Sequence, residues 1–262
     1  MKKIVSLSAA ALLLAACSDA TAPNATNTTP LDAKDSPPTI TVTGNLTSDT
    51  YTFDDGTFSG SAGTTFTVED LDGGFGASSP PIISAYNDAA NKFIGRLDNH
   101  ELDLIVPNGG SKYSVTFDLI IIGSWDGDGQ QSGKEFGADL WSVGLACTPG
   151  GAIVQNLLTT TFSNQKTVQQ SYPNVWRDGR GGATAGTGAL SIDALGFRND
   201  PTSHTPQFSS YGDTEYRLSF AGVNPCGAGS PLYVLFTVPN ASLQSNYDES
   251  WGVDNLTIKT DS

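Results

Sequence analysis

Between Lys112 and Gly123 the apolar side chains fall on every second position: Tyr113, Val115, Phe117, Leu119 and Ile121. A period of two puts them on one face of an extended strand, whereas a helix would scatter them around its axis. Ile120 and Ile122 make the far end apolar on the other face too, the pattern of a strand covered from both sides. The alternation returns in Leu232, Val234, Phe236 and Val238. The clearest strands predicted this way are 92–97, 101–106, 112–123, 139–146, 215–221, 231–238 and 251–259. The 29 glycines and 14 prolines supply turns between them. No long stretch has a 3.6-residue period, and no internal repeat is evident. The expectation is an all-β fold, an antiparallel two-sheet sandwich of the jelly-roll kind, with 112–123 near its centre.

The amino terminus reads differently. Lys2 and Lys3 precede an apolar run from Ile4 to Leu14, which closes on Leu14-Ala15-Ala16-Cys17. That is the layout of an export signal. Eleven residues span only ~16 Å as a helix, about half of a bilayer's hydrocarbon core, so the run is too short to be a permanent span. The tetrapeptide resembles the lipobox of bacterial lipoproteins, which implies removal of residues 1–16 and lipidation of Cys17. The partner is then a lipid bilayer, and the location the cell envelope, at the outer membrane or cell surface. Residues 17–38, rich in Ser, Thr, Asn, Ala and Pro, have little to bury and read as a flexible tether. Residues 39–262 read as one β domain.

Loss of Lys2 and Lys3 takes the formal charge from −14 to −16 and leaves 11 basic against 27 acidic side chains. Such a surface repels nucleic acid, which needs a basic footprint. Acidic balance also suits divalent cations, although solubility alone explains it. Cys147 and Cys226 remain as an even pair in an exported chain, which predicts a disulfide. Its loop of about 80 residues stabilises by a few kcal/mol in the chain-entropy model.

Several motifs together resemble a family of secreted bacterial proteins known mainly as uncharacterised β-sandwich domains. They are Phe93-Ile94-Gly95-Arg96-Leu97, Ser114 to Leu119 running into Gly123-Ser124-Trp125-Asp126-Gly127, and Asp139-Leu140-Trp141-Ser142-Val143. The likeness continues through Thr161 to Asn164, Gln170 to Asn174, Leu195-Gly196-Phe197 and Tyr216 to Phe220. It ends with the most specific piece, Asp248-Glu249-Ser250-Trp251-Gly252-Val253-Asp254-Asn255. A jelly-roll or lectin-type sandwich is what this implies, and a fold does not fix an activity. A second likeness is to MAM-type jelly-roll adhesion domains, through Phe53-Asp54-Asp55-Gly56 and Val253-Asp254-Asn255, without the usual MAM cysteines. It implies calcium between the first and last strands, at Asp54 and Asp254.

The residues can be weighed without the family. In an unbroken strand over 251–259, Asp254 shares a face with Leu256 and Ile258 and points to the core. A buried carboxylate needs hydrogen-bond donors or a cation, and calcium accepts six to eight oxygens. The calcium set expected is Asp54, Asp248, Asp254 and Asn255, with Asp248 preferred to Glu249. A bulge near Gly252 would instead turn Asp254 outward. Asp126-Gly127-Asp128-Gly129 partly resembles a calcium loop, without the later acids of an EF-hand, and reads first as a solvated turn.

Sugar binding calls for an aromatic ring beside polar groups. Trp141 and Trp251 fall within strands and read as core. Trp125 with Asp126, and Trp176 with Arg177, fall in loops and are the platform candidates, with Asp178, Arg180 and Tyr172 nearby. Catalysis has little support: the chain has two histidines, His100 and His204, and no Gly-x-Ser-x-Gly elbow. Glu101-Leu102-Asp103-Leu104-Ile105 resembles the acidic strand of laminarinase-type glycoside hydrolases, but Val106 follows and no second glutamate stands there. The functional expectation is a non-catalytic, calcium-stabilised module that binds glycan or a cell-surface partner, with a purely structural or adhesion lipoprotein as the alternative.

Overall fold

The computed structural model describes residues 46–60, 63–71, 80–131, 134–135, 137–177, 182–200 and 210–261. The export signal, Cys17, the tether, Asp178, Arg180 and His204 lie outside these residues. One sheet runs β13 (Ser191–Ile192), β14 (Asp213–Val223), β6 (Lys112–Gly123), β16 (Glu249–Asp261), β4 (Lys92–Leu97) and β3 (Ile82–Ser84). In the same sheet β1 (Leu46–Tyr51) pairs with the second half of β16. The other runs β10 (Gln155–Thr161), β9 (Leu140–Ala146), β15 (Leu232–Thr237), β5 (His100–Val106) and β2 (Thr65–Asp70). Two small ribbons join β7 (Gln130–Gln131) to β8 (Lys134–Glu135) and β11 (Gln169–Gln170) to β12 (Ala183–Thr184). All pairings are antiparallel. The chain is an antiparallel β-sandwich.

Alternation decides which side chains meet between the sheets. The odd residues of β6, Tyr113 to Ile121, pack against Leu102, Leu104, Trp141, Val143, Leu145, Val234 and Phe236 of the facing sheet. Phe117 and Phe236 meet edge to face, with ring centroids 4.9 Å apart. Such a pair adds roughly 0.5–1.5 kcal/mol beyond area burial. Ile120 and Ile122 point the other way into a smaller cluster with Ala85, Phe93, Leu195 and Phe197, which covers the outer face at that end of β6. Strand β6 is therefore central, and its far end is buried on both faces, as its pattern predicts.

The strands at 92–97 and 112–123 fall where alternation places them, and five others are extended or trimmed by a few residues. Strands β1, β2 and β10 are not predicted. They are Thr-, Asp- and Gln-rich, and all three flank better-patterned strands. Cys147 and Cys226 form a disulfide, with Cα atoms 5.4 Å apart, as the even pair predicts.

Candidate metal centre

Where β6 ends, β16 begins, because Gly123 is the register partner of Glu249. Gly123 adopts φ 89°, and a Cβ there would lie 1.9 Å from the Asp248 carbonyl oxygen, so only glycine fits this approach. The Ser124 N–H then donates to the same carbonyl at 2.7 Å. After Trp125 the chain turns through Asp126 to Gly129, closed by a 2.9 Å bond from Gly129 N–H to Asp126 O. Gly127, at φ 61°, passes beneath the Gln169 carbonyl, and its own carbonyl accepts from the Asp139 N–H at 2.9 Å. That bond brings Asp139, the residue before β9, to the end of β6.

Carboxylate oxygens of Asp126, Asp139 and Glu249 consequently lie within 4.8 Å of one another. The three come from both sheets, since β9 belongs to one and β6 and β16 to the other. Asp139 and Glu249 are buried, and Asp126 is partly so. Glu249 is steered by Gln244, whose backbone N–H donates to Oε2 at 2.9 Å and whose amide donates to Oε1 at 3.4 Å. Asp139 Oδ2 accepts from the Asp126 backbone N–H. Asp248 stands alongside, accepting from the Ser124 hydroxyl.

Among the described residues, no ion pair reaches any of these four acids. Burial, then the nearby Asp248, pushes Asp126 up to about 6. Burial, with Asp126 and Asp248 adding to it against the opposing Gln244 bonds, pushes Glu249 up to about 7. Burial and then Glu249 raise Asp139 well above the usual carboxylate range. At such separations, with an effective dielectric constant near 20, each like-charge pair costs roughly 3 kcal/mol. The group must hold protons or a cation. Carboxylates without His or Cys suit a hard cation, and calcium tolerates the irregular geometry that three separate chain segments impose.

A second group of acids lies further along β16. Asp254 pairs in register with Asp118, and Asp118 with Arg217. Register shifts between Asp254 and Thr257, and Asn255 takes the left-handed conformation at φ 47°. Trp251 and Val253 point into the main core before this bulge, and Leu256 and Ile258 after it. The expectation that Asp254 faces the core with Leu256 is therefore corrected: the bulge reverses parity and leaves Asp254 on the outer face. There the Arg217 guanidinium holds buried Asp118 through two bonds of 2.8 and 2.6 Å. Asn255 donates its amide to Asp118 at 2.9 Å and its backbone N–H to Asp254 at 2.6 Å. Burial first, and then Asp54 and Asp118, push Asp254 up to about 7 against the lowering Asn255 bond. Asp54 is exposed and accepts from the Lys92 N–H at 3.1 Å.

The four acids and amides expected to share one ion, Asp54, Asp248, Asp254 and Asn255, do not do so. Asp248 and Asp254 are separated by roughly 20 Å of extended strand, far beyond the span of one coordination sphere. Asp248 joins Asp126 at the end of β6, and the other three gather at the bulge. Glu249, and not Asp248, belongs to the converging trio. Asp139 was noted only within a motif, because nothing beside it in the sequence marks it as a ligand.

Trp125 is no sugar platform. Its ring is fully buried in the main core and its Nε1 donates to the Ser250 carbonyl at 2.9 Å. Trp141 and Trp251 are core, as expected. Trp176 is partly exposed and Arg177 exposed, beside β10, where the Trp176 N–H donates to Thr159 O at 2.8 Å. Tyr172 leans on Phe162 and Tyr216 instead of presenting a free face.

No protein-family model matches the sequence. No curated protein matches it either. Among solved structures, the chain is similar to the cleaved K3 adhesin domain of Lys-gingipain from Porphyromonas gingivalis w83, at 12% identity and a TM-score of 0.38. The match covers 80% of this chain and 98% of that one. At that score the likeness carries no argument about function.

Proposed function

We propose that this chain is an exported, non-catalytic β-sandwich module of the bacterial envelope, clamped by a calcium ion and tethered through a lipid on Cys17. The observation that carries the metal is the convergence of Asp126, Asp139 and Glu249 from both sheets without a positive partner among the described residues. A cation there would supply the missing charge and tie the end of β6 to the starts of β9 and β16. Asp248, beside the trio, would add to the negative field. The lipid anchor rests on Leu14-Ala15-Ala16-Cys17 and the polar stretch after it. Among the described residues, no helix is long and apolar enough to cross a membrane.

The outward role proposed is binding to glycan or to a cell-surface partner, with Trp176 and Arg177 as the remaining aromatic and polar pair. The test compares melting of the exported chain in calcium and in chelator, beside Glu249→Gln. A ligand that binds only the folded state contributes about 2.7 kcal/mol at a hundredfold excess over Kd. For a domain of this size that is roughly 5–10 °C. The rise is expected in the wild type and reduced in Glu249→Gln. Equal melting in both solutions would remove the clamp. For the outward role, glycan-array binding that disappears in Trp176→Ala supports it, and an array blank for the wild type overturns it.

A further inference from the structure

We infer that a second divalent-cation site lies on the outer face of the five-stranded sheet, formed by Glu69, Glu101 and Asp103 beneath the Thr148–Gly151 turn. Strand alternation places these residues together. Leu102, Leu104 and Val106 of β5 enter the core, so Glu101 and Asp103 face outward. Glu69 of β2 is the register partner of Glu101, and Thr67 that of Asp103. Two like charges directly opposite each other on neighbouring strands are unfavourable unless something neutralises them.

Asp103 points beyond the three acids themselves. It is only 2% exposed, and its Oδ1 is buried with no hydrogen-bond partner. Its carboxylate is otherwise held by the Gly150 backbone and by Glu101, and Glu101 also engages Thr237. The Glu69 carboxylate also approaches this turn: a Cβ on Gly150 would lie 3.5 Å from Glu69 Oε1. The turn that bears Gly150 follows Cys147 directly, so the disulfide to Cys226 pins it over the cluster. An unsatisfied buried oxygen costs roughly 1–3 kcal/mol, more when charged. Among the described residues no ion pair reaches the three acids. The three carboxylates do not converge within 4.8 Å as they stand, and the exposed Glu69 would turn its carboxylate inward to hold a hard cation with Glu101 and Asp103 Oδ1.

Burial, then Glu101 and Glu69, push Asp103 up to about 7, so the cation competes with a proton at this site. The site is independent of the Asp126 trio, which lies at the end of β6.

The test is calorimetric titration of the exported, metal-stripped chain with calcium chloride. Two binding events are expected in the wild type. Glu69→Gln and Asp103→Asn should each abolish one event, and Glu249→Gln should abolish the other. Glu69 is exposed, so its variant keeps the fold, which a circular dichroism spectrum checks. A wild-type isotherm with one event, removed by Glu249→Gln and untouched by Glu69→Gln, overturns the second site and leaves the first. An event removed by Glu69→Gln alone supports the second site and overturns the first.

Discussion

Two groups of buried carboxylates are built on the same pair of strands, β6 and β16, and they are neutralised differently. At the bulge, Asp118 is fully buried but receives both nitrogens of the Arg217 fork, and the Asn255 amide completes it. At the strand ends, Asp139 and Glu249 receive only backbone and amide donors. Burial alone therefore does not distinguish a metal site from a structural ion pair. The presence or absence of a counter-charge does, because a guanidinium already seated on a carboxylate both satisfies it and repels a divalent cation.

Removing the counter-charge at the bulge should produce the largest effect. Arg217→Ala strands a buried Asp118, and leaving a buried charged acceptor unsatisfied costs roughly 1–3 kcal/mol or more. Urea unfolding should show that loss, and the calcium-induced rise in melting temperature should survive intact. If the rise vanished, the two groups would not be independent.

At the strand ends the corresponding change acts with the opposite sign. Asp139→Asn removes one of three mutually repelling acids, so melting in chelator should rise by a few degrees, while the calcium increment shrinks. Lower melting in chelator would mean that Asp139 is a hydrogen-bonded brace for the Asp126 turn, not a ligand.

Acidity sharpens the contrast. A carboxylic acid with a folded pKa above its unfolded value takes up protons more readily in the fold. Its stabilising contribution is present at low pH and is lost as pH rises through the folded value. Glu249 is raised from 4.5 to about 7 and Asp126 from 3.8 to about 6, so in chelator melting should fall as pH rises from about 4 to about 7. Asp254, raised to about 7, adds a fall of the same sign at the bulge. Calcium should cancel the first part and leave the second, which Asp254→Asn should remove. A pH profile unchanged by calcium would contradict the assignment of the trio.

The smallest effect is expected at Trp176. It sits partly exposed beside β10, so Trp176→Ala should change unfolding free energy by within about 0.5 kcal/mol. A larger loss would show that the ring is a packing element and not a surface for a partner.

The sandwich was legible where a side chain's environment follows from its own neighbours. Tyr113 to Ile121 declare a core face, and Ile120 with Ile122 declare a second covered face. Asp126 and Asp248 were recognisable as acids beside turns, but their approach depends on the Gly123–Glu249 register, which links positions 126 residues apart. Asp139 depends further on a backbone bond to Gly127. The bulge defeated simple parity. Its only local trace is the Asp254-Asn255 pair, since asparagine enters the left-handed region more readily than most residues. Trp125 followed a similar course: its Gly-Ser-Trp-Asp-Gly setting reads as a loop, but its ring packs into the main core.

The central claim is tested most directly by sensitised terbium luminescence. Trp125 adjoins Asp126 in sequence and is buried in the core behind it, so a terbium ion bound by the trio would be excited through that ring. The account predicts terbium emission on tryptophan excitation in the wild type, its displacement by calcium, and its loss in Glu249→Gln. Emission of equal strength in Glu249→Gln, or none in the wild type, would contradict it.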